Sequence, residues 1–256
     1  MENFSTYIFD LYGTLIDIWT DEESPVLWEK MSEYLFENFD SKHEPKALRT
    51  RYLEVCAKEE SVLKNKYNYE YPEIQIEKVW ITLVNEGRKT PLNINVNDAC
   101  IQDLCVFFRE TSRLKFCVYD GVLETLKKLK DMNKNVFLLS NAQWSFTKKE
   151  LVDAGISQYF DDLYISSERQ IKKPQKEFLE LLLTEHKLEP SECVMVGNDI
   201  LSDVGVAFKN NVKSIFLNTY NYSPERIDKE LLELGVDKSK YMPQIVDDGD
   251  ITKILL

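Results

Sequence analysis

The chain has 256 residues, of which 43% are hydrophobic, 12% aromatic and 30% charged, with 32 lysines and arginines against 44 acids for a formal charge of −12. That apolar content excludes a disordered chain, 8 glycines and 8 prolines exclude a low-complexity or collagen-like one, and no apolar run approaches the ~18 residues of a membrane span. The acidic balance argues against nucleic acid or anionic lipid as a partner, because both require clustered lysine and arginine.

Met1-Glu2-Asn3 lead almost directly into a β-prone run, Ser5-Thr-Tyr-Ile-Phe-Asp10, with no basic or long apolar segment before it, so no signal peptide is expected. The run ends in an acid and is followed by Gly13-Thr14, a turn signal: a strand that delivers a carboxylate to a loop. Residues 18–118 then hold long amphipathic stretches with hardly any strand signal. One runs through Leu27, Met31, Tyr34 and Leu35, another through Ile76, Val79, Trp80, Leu83 and Val84, and a third through Val96, Cys100, Leu104 and Phe108.

After this helical insert, short apolar runs alternate with helical patterns. Runs at 135–140, 162–166, 193–197 and 212–217 read as strands. Val122, Leu126 and Leu129 precede the first of them, Phe178, Leu181 and Leu182 the third, and Ile200, Val204, Ala207 and Phe208 the fourth, all at helical spacing. A helix over 224–235, a short run at 243–246 and a helical stub complete the chain. Alternating strands and helices predict a Rossmann-like α/β core, a parallel sheet with helices on both faces, over residues 1–17 and 119–256, with an α-helical domain at 18–118. Such sheets bind ligands at the carboxyl ends of their strands.

Five cysteines (Cys56, Cys100, Cys105, Cys117 and Cys193) form no C-x-x-C pair and read as buried free thiols in a reducing cytoplasm. His43 and His186 are too few for a multi-histidine zinc site.

Four strand ends carry the residues a phosphate site needs. Asp10-Leu-Tyr-Gly-Thr14 supplies an acid, a glycine for a tight turn and a hydroxyl; Ser140-Asn141 follows the second core strand; Lys172-Lys173-Pro174 follows the third, with Pro174 suited to the first turn of a helix; and Gly197-Asn-Asp199-Ile-Leu-Ser-Asp203 follows the fourth with two acids four residues apart. Acid, hydroxyl, lysine and acid pair, in that order on successive strand ends, resemble the haloacid dehalogenase superfamily of aspartate-nucleophile hydrolases. The insert at 18–118 resembles that superfamily's cap, which would close over the loop bearing Asp10 and complete the specificity surface.

The resemblance implies a phosphatase acting on a small phosphorylated metabolite, cytoplasmic, a monomer or homodimer, with Asp10 as nucleophile and an aspartyl-phosphate intermediate. It implies that Thr14, Ser140, Asn141 and Lys173 bind the phosphoryl group, Lys173 also neutralising the acids. Mg²⁺ would be held by Asp10, the main-chain carbonyl of Tyr12 and Asp199, with Asp203 as direct or water-mediated support. Tyr12 departs from the family's usual second aspartate and removes a proton shuttle worth roughly 10²–10⁴-fold in rate. A non-acid there also occurs in the metal-independent 2-haloacid dehalogenase branch, although the retained Asp199 and Asp203 favour a Mg²⁺ site; a catalytically weak regulatory or binding protein on the same fold is the third reading.

Other motifs have simpler readings. Tyr67, Tyr69 and Tyr71 are read as packing at a helix junction rather than a substrate pocket, Arg109, Arg113 and Lys115 as a solvated helix end, and His186 as a partner of a helix dipole. Asp199 can cap the helix that follows it.

Overall fold

Thr6–Phe9 (β1) is buried along its whole length because strands flank it on both sides. The computed structural model describes residues 4–237 and 239–255; Met1, Glu2, Asn3, Lys238 and Leu256 of the predicted core lie outside the described residues. In chain order the elements are β2 (Ile16–Thr20), α1 (Pro25–Phe39), α2 (Pro45–Tyr67), α3 (Ile76–Glu86), α4 (Ala99–Ser112), β3 (Arg113–Val118), α5 (Val122–Asp131), β4 (Asn135–Ser140), α6 (Trp144–Asp153) and β5 (Asp162–Ile165). There follow α7 (Ser166–Arg169), α8 (Lys176–Glu185), β6 (Cys193–Gly197), α9 (Gly205–Lys209), β7 (Lys213–Leu217), α10 (Pro224–Glu233) and β8 (Gln244–Val246).

The main sheet is six-stranded in the order β5-β4-β1-β6-β7-β8, and every neighbouring pair is parallel. Side chains alternate between its faces, as strand geometry requires. Phe9, Val136, Leu138, Val194 and Val196 pack with Val122, Leu126 and Leu129 of α5, whereas Ile8, Phe137, Leu139 and Met195 pack with Phe178, Leu179 and Leu182 of α8. Both faces are therefore covered, which is why these strands read as continuous apolar runs. The predicted α/β architecture is the one observed, and the run at 243–246 forms the sixth strand.

The insert contains more than helices. β2 and β3 pair antiparallel, with a register shift at Trp19/Thr20, and form a ribbon by which the chain leaves and re-enters the α/β layer. Their partners are nearly a hundred residues apart, and β3 follows α4 with no intervening residue, so no local turn signal marks either strand. Helices α1–α4 have a core of their own, in which Trp28, Tyr52, Trp80 and Phe108 form a cluster with ring centroids 5.2–6.5 Å apart. Phe146 of α6 joins that core from the α/β layer.

A second strap, the segment after α2, ties the helices to the α/β layer. Gln143 Nε2 donates to the carbonyl of Ile74 and its Oε1 accepts from Ile76 N, at 3.0 and 2.9 Å. Lys172 N donates to the carbonyl of Tyr71, and Ser166 Oγ donates to Glu73 Oε2, both at 3.0 Å. Tyr67, the last residue of α2, stacks on Tyr69 of the strap at 5.5 Å.

All five cysteines are unpaired, but only Cys105 and Cys193 are buried; Cys100 and Cys117 are exposed, contrary to the uniform expectation, because they lie on the outer faces of α4 and β3. No helix among the described residues is long and apolar enough to cross a membrane.

Candidate active site

Five of the six acid, hydroxyl and lysine side chains singled out at the strand ends converge around Asp10. Asp10 N donates to the carbonyl of Val196 at 2.9 Å, so the β1–β6 pairing runs up to the residue that turns away. The carbonyl of Leu11 accepts from the amides of Thr14, Leu15 and Ile16, winding the loop tightly. Gly13 has φ +83°, and a Cβ there would stand 2.3 Å from Asn198 Nδ2 and 2.7 Å from the Tyr220 hydroxyl; glycine is required by conformation and by space.

Thr14 Oγ1 lies 3.1 Å from Asp10 Oδ2 and 3.2 Å from Asn198 Oδ1, and Ser140 Oγ donates to Asp10 Oδ1 at 3.4 Å. Lys173, 3% exposed, places Nζ 2.7 Å from Asp10 Oδ1 and 2.7 Å from Asp203 Oδ1. Burial alone would lower the pKa of this ammonium; the two carboxylates outweigh burial and raise it. Asp203 is raised by burial, with Lys173 pulling it down and the charges of Asp10 and Asp199 pushing it up. One cation shared between two buried acids is the arrangement that keeps such charges together in a dry setting.

The Asn141 side chain has a place of its own, apart from the phosphoryl contact expected of the backbone amide there. Its Nδ2 donates to the Lys173 carbonyl at 3.0 Å and its Oδ1 accepts from Lys173 N at 2.8 Å, so the side chain holds the lysine loop. Pro174 stands before α8 rather than in its first turn. Asp199, exposed at the rim, caps the turn Ile200–Val204 by accepting from Ser202 N at 2.7 Å, while its Oδ2 enters none of the hydrogen bonds seen among the described residues. Asp203 has both oxygens engaged, Oδ1 by Lys173 and Oδ2 by Asp199 N at 3.0 Å. Its approach needs Gly197, where a Cβ would fall 2.2 Å from Asp203 Oδ2.

The side chains open onto a cavity of about 240 Å³ whose walls include Asp10, Lys173, Asn198, Asp199, Tyr220 and Tyr222. Its candidate metal donors are all oxygens: the carboxylates of Asp10 and Asp199 and the main chain of Tyr12. That set suits a hard cation such as Mg²⁺, which commonly uses one or two carboxylates and fills the rest of its shell with water and substrate. Among the described residues no three His, Cys, Asp or Glu side chains group as a metal site. Asp203, expected as direct or water-mediated support for the metal, binds Lys173 and the Asp199 amide with its two oxygens, because a buried carboxylate takes the nearest donors.

Tyr12 sends its ring away from this cluster. Its hydroxyl donates to Glu150 Oε2 and lies 3.0 Å from Thr147 Oγ1, both on α6, and the Arg109 guanidinium sits 5.0 Å from the ring centroid. Glu150, 2% exposed, also binds Arg109 Nε at 2.9 Å and Arg113 Nη1 at 3.1 Å. Burial first, then the Glu150 charge, push the phenol above its ordinary value. Arg109 and Arg113 are therefore not a solvated helix end: they are partners of a buried acid on another element, and only Lys115, paired with Asp17, stays exposed. His186 follows α8 and contacts Asp162 Oδ2 at 3.0 Å, a partner beyond the helix dipole.

Asn198, Thr219, Tyr220 and Tyr222 had no role assigned from the sequence. Thr219 Oγ1 donates to the Gly13 carbonyl at 2.7 Å, tying the segment after β7 to the loop of Asp10. The position of that segment at the carboxyl end of a predicted strand was the available signal.

Comparison with known proteins agrees with this geometry. A sequence model described as haloacid dehalogenase-like hydrolase matches residues 4–209. A phosphoglycolate phosphatase of Vibrio vulnificus is 33% identical over 120 residues, covering 46% of this chain and 50% of that protein. The chain thus spans about half the length of the curated relatives it matches. Among solved structures, a HAD phosphatase from Thermococcus onnurineus superposes with TM-score 0.57 at 16% identity, covering 98% of this chain and 97% of its own. A dehalogenase does so with TM-score 0.57 at 16% identity, covering 100% and 98%. These two likenesses concern the fold. With the family match spanning most of the chain, the protein belongs to the haloacid dehalogenase-like hydrolases.

Proposed function

We propose that the chain is a Mg²⁺-dependent phosphatase that cleaves a small phosphorylated metabolite through an aspartyl-phosphate on Asp10, with residues 18–118 as an α-helical cap on a core of residues 1–17 and 119–256. The observation that carries this reading is the bridge of Lys173 Nζ, 2.7 Å from both Asp10 and Asp203, at the floor of an open, oxygen-lined cavity. The curated phosphoglycolate phosphatases among its relatives support the same reaction class.

Asp10 attacks the phosphorus, the bond to the leaving oxygen breaks, and water later cleaves the acyl phosphate to regenerate the carboxylate. Thr14 and Ser140 hold the carboxylate in place, and Lys173 offsets negative charge on the acids and on the transferring group. Mg²⁺, held by Asp10, the Tyr12 carbonyl and Asp199, would supply further positive charge and orient the substrate oxygens. Tyr12 does not shuttle protons, since its hydroxyl is committed to Glu150 and its pKa is raised. Turnover should accordingly be slow for ordinary phosphomonoesters and faster for esters with good leaving groups. The unpaired cysteines support a cytoplasmic setting.

The test is release of phosphate from an aryl phosphate, and of halide from a 2-halo acid, with and without Mg²⁺, for the native chain and Asp10→Asn. Mg²⁺-dependent phosphate release lost in Asp10→Asn is the expected result. Metal-independent halide release would replace this reading with dehalogenation, and neither activity alongside retained Mg²⁺ binding would point to a regulatory protein. Activity unchanged by Asp10→Asn would remove the nucleophile assignment.

A further inference from the structure

The walls of the cavity differ from what a cap would provide. No described residue of 18–118 lines it; besides Asp10 and Lys173 its walls include Tyr220 and Tyr222, both from the segment after β7. Tyr220 is 49% exposed, so much of its surface is open, while its hydroxyl is set beside Asn198 and Gly13 and the preceding Thr219 is tied to Gly13. The two rings lie 6.1 Å apart at an interplanar angle of 40°.

The charges are equally informative. Among the described lining residues Lys173 is the one cation, and it is shared by Asp10 and Asp203. The arginines beside the lining residues Tyr12 and Tyr222 are also committed. Arg109 and Arg113 are bound by Glu150, and Arg226 pairs with Glu230 at 2.8 Å while covering the Tyr222 ring at 3.4 Å. A phosphoryl group already brings nearly two negative charges to a site with three acids. A second anionic group on the substrate would find no uncommitted cation among the described lining residues to offset its charge.

We infer that Tyr220 and Tyr222 select the substrate, and that the group they accept on the phosphate is uncharged and planar rather than carboxylate-bearing. The inference rests on the phosphatase reading and narrows it. Both rings line the same cavity as Asp10 and Lys173, and ring faces reward flat apolar surface without adding charge.

The experiment is competitive inhibition of acetyl phosphate hydrolysis by the full chain in Mg²⁺, comparing phenylphosphonate with 3-carboxyphenylphosphonate. Phenylphosphonate should bind about tenfold more tightly or better, a difference within the scale of one aromatic contact and one unpaired charge. In Tyr220→Ala and Tyr222→Ala its inhibition constant should rise more than that of inorganic phosphate, and Tyr220→Phe should restore it. Equal inhibition by the two phosphonates, measurable on the native chain alone, overturns the inference and leaves the phosphatase reading standing. So does a parallel shift of phenylphosphonate and inorganic phosphate in the alanine variants. Absence of phosphate release from acetyl phosphate overturns the phosphatase reading and this inference with it.

Discussion

Two buried charge clusters flank the loop of residues 10–16, and they are built alike but used differently. On one side Lys173 bridges Asp10 and Asp203; on the other, Glu150 gathers Arg109, Arg113 and the hydroxyl of Tyr12. The first opens onto a cavity, and Asp199 at its rim keeps a carboxylate oxygen outside the hydrogen bonds seen among the described residues. The second is closed: both Glu150 oxygens are bound, and its partners come from α4, β3 and the loop after β1. Burying charge is costly in either case, so what separates a reactive cluster from a structural one is whether polar atoms remain for a ligand.

Substitutions can break that contrast, and the largest effect should come from the open cluster. Asp10→Asn should lower phosphate release by about 10⁴-fold or more, read as initial rate in saturating Mg²⁺, because it removes the attacking oxygen. Lys173→Met should cost about 3–5 kcal/mol of stability near neutral pH, measured by urea unfolding, since two buried acids lose their cation. Part of that loss should return on acidification. Asp203 is already raised by burial, and without Lys173 the lowering pull disappears; a carboxyl raised in the folded state holds its proton more tightly than in the unfolded chain, so stability grows as pH falls through its folded value. A loss that stays constant between about pH 7 and pH 5 would contradict this account of the cluster.

The closed cluster should respond in stability rather than rate. Glu150→Gln leaves two arginines without their carboxylate and should destabilise by about 3 kcal/mol, while phosphate release per folded molecule falls much less than in Lys173→Met. A rate loss as large as that of Lys173→Met would make Glu150 part of the chemistry. The smallest effect is expected for Tyr12→Phe, about 1–2 kcal/mol for one buried hydrogen bond to a charged acceptor, seen as a lower thermal midpoint. A change in the pH–rate profile of Tyr12→Phe would show that the phenol exchanges protons after all.

The open cluster was legible because each of its members ends or follows a short apolar run. Asp10, Ser140, Lys173, Asp199 and Asp203 end or follow strands whose continuous apolar runs and polar exits are local properties of a few consecutive residues. Gly13 and Gly197 likewise stand where the backbone must turn or a carboxylate must approach closely. The closed cluster gave no such sign. Arg109 and Arg113 look like the basic end of a helix, and the acid they meet is 41 and 37 residues away on α6. The ribbon of β2 and β3 was hidden because neither strand is a continuous buried apolar run and β3 follows α4 without a break.

The α/β class, the helical insert and the loop of Asp10 thus follow from hydrophobic period and turn chemistry, which the chain carries residue by residue. The direction of the Tyr12 ring, the commitment of Asp203 to Lys173, the strap at Gln143 and the tyrosine wall do not. Each depends on which atoms of distant elements come within hydrogen-bond or van der Waals reach, and the order of residues along a chain does not encode that distance until packing has set it.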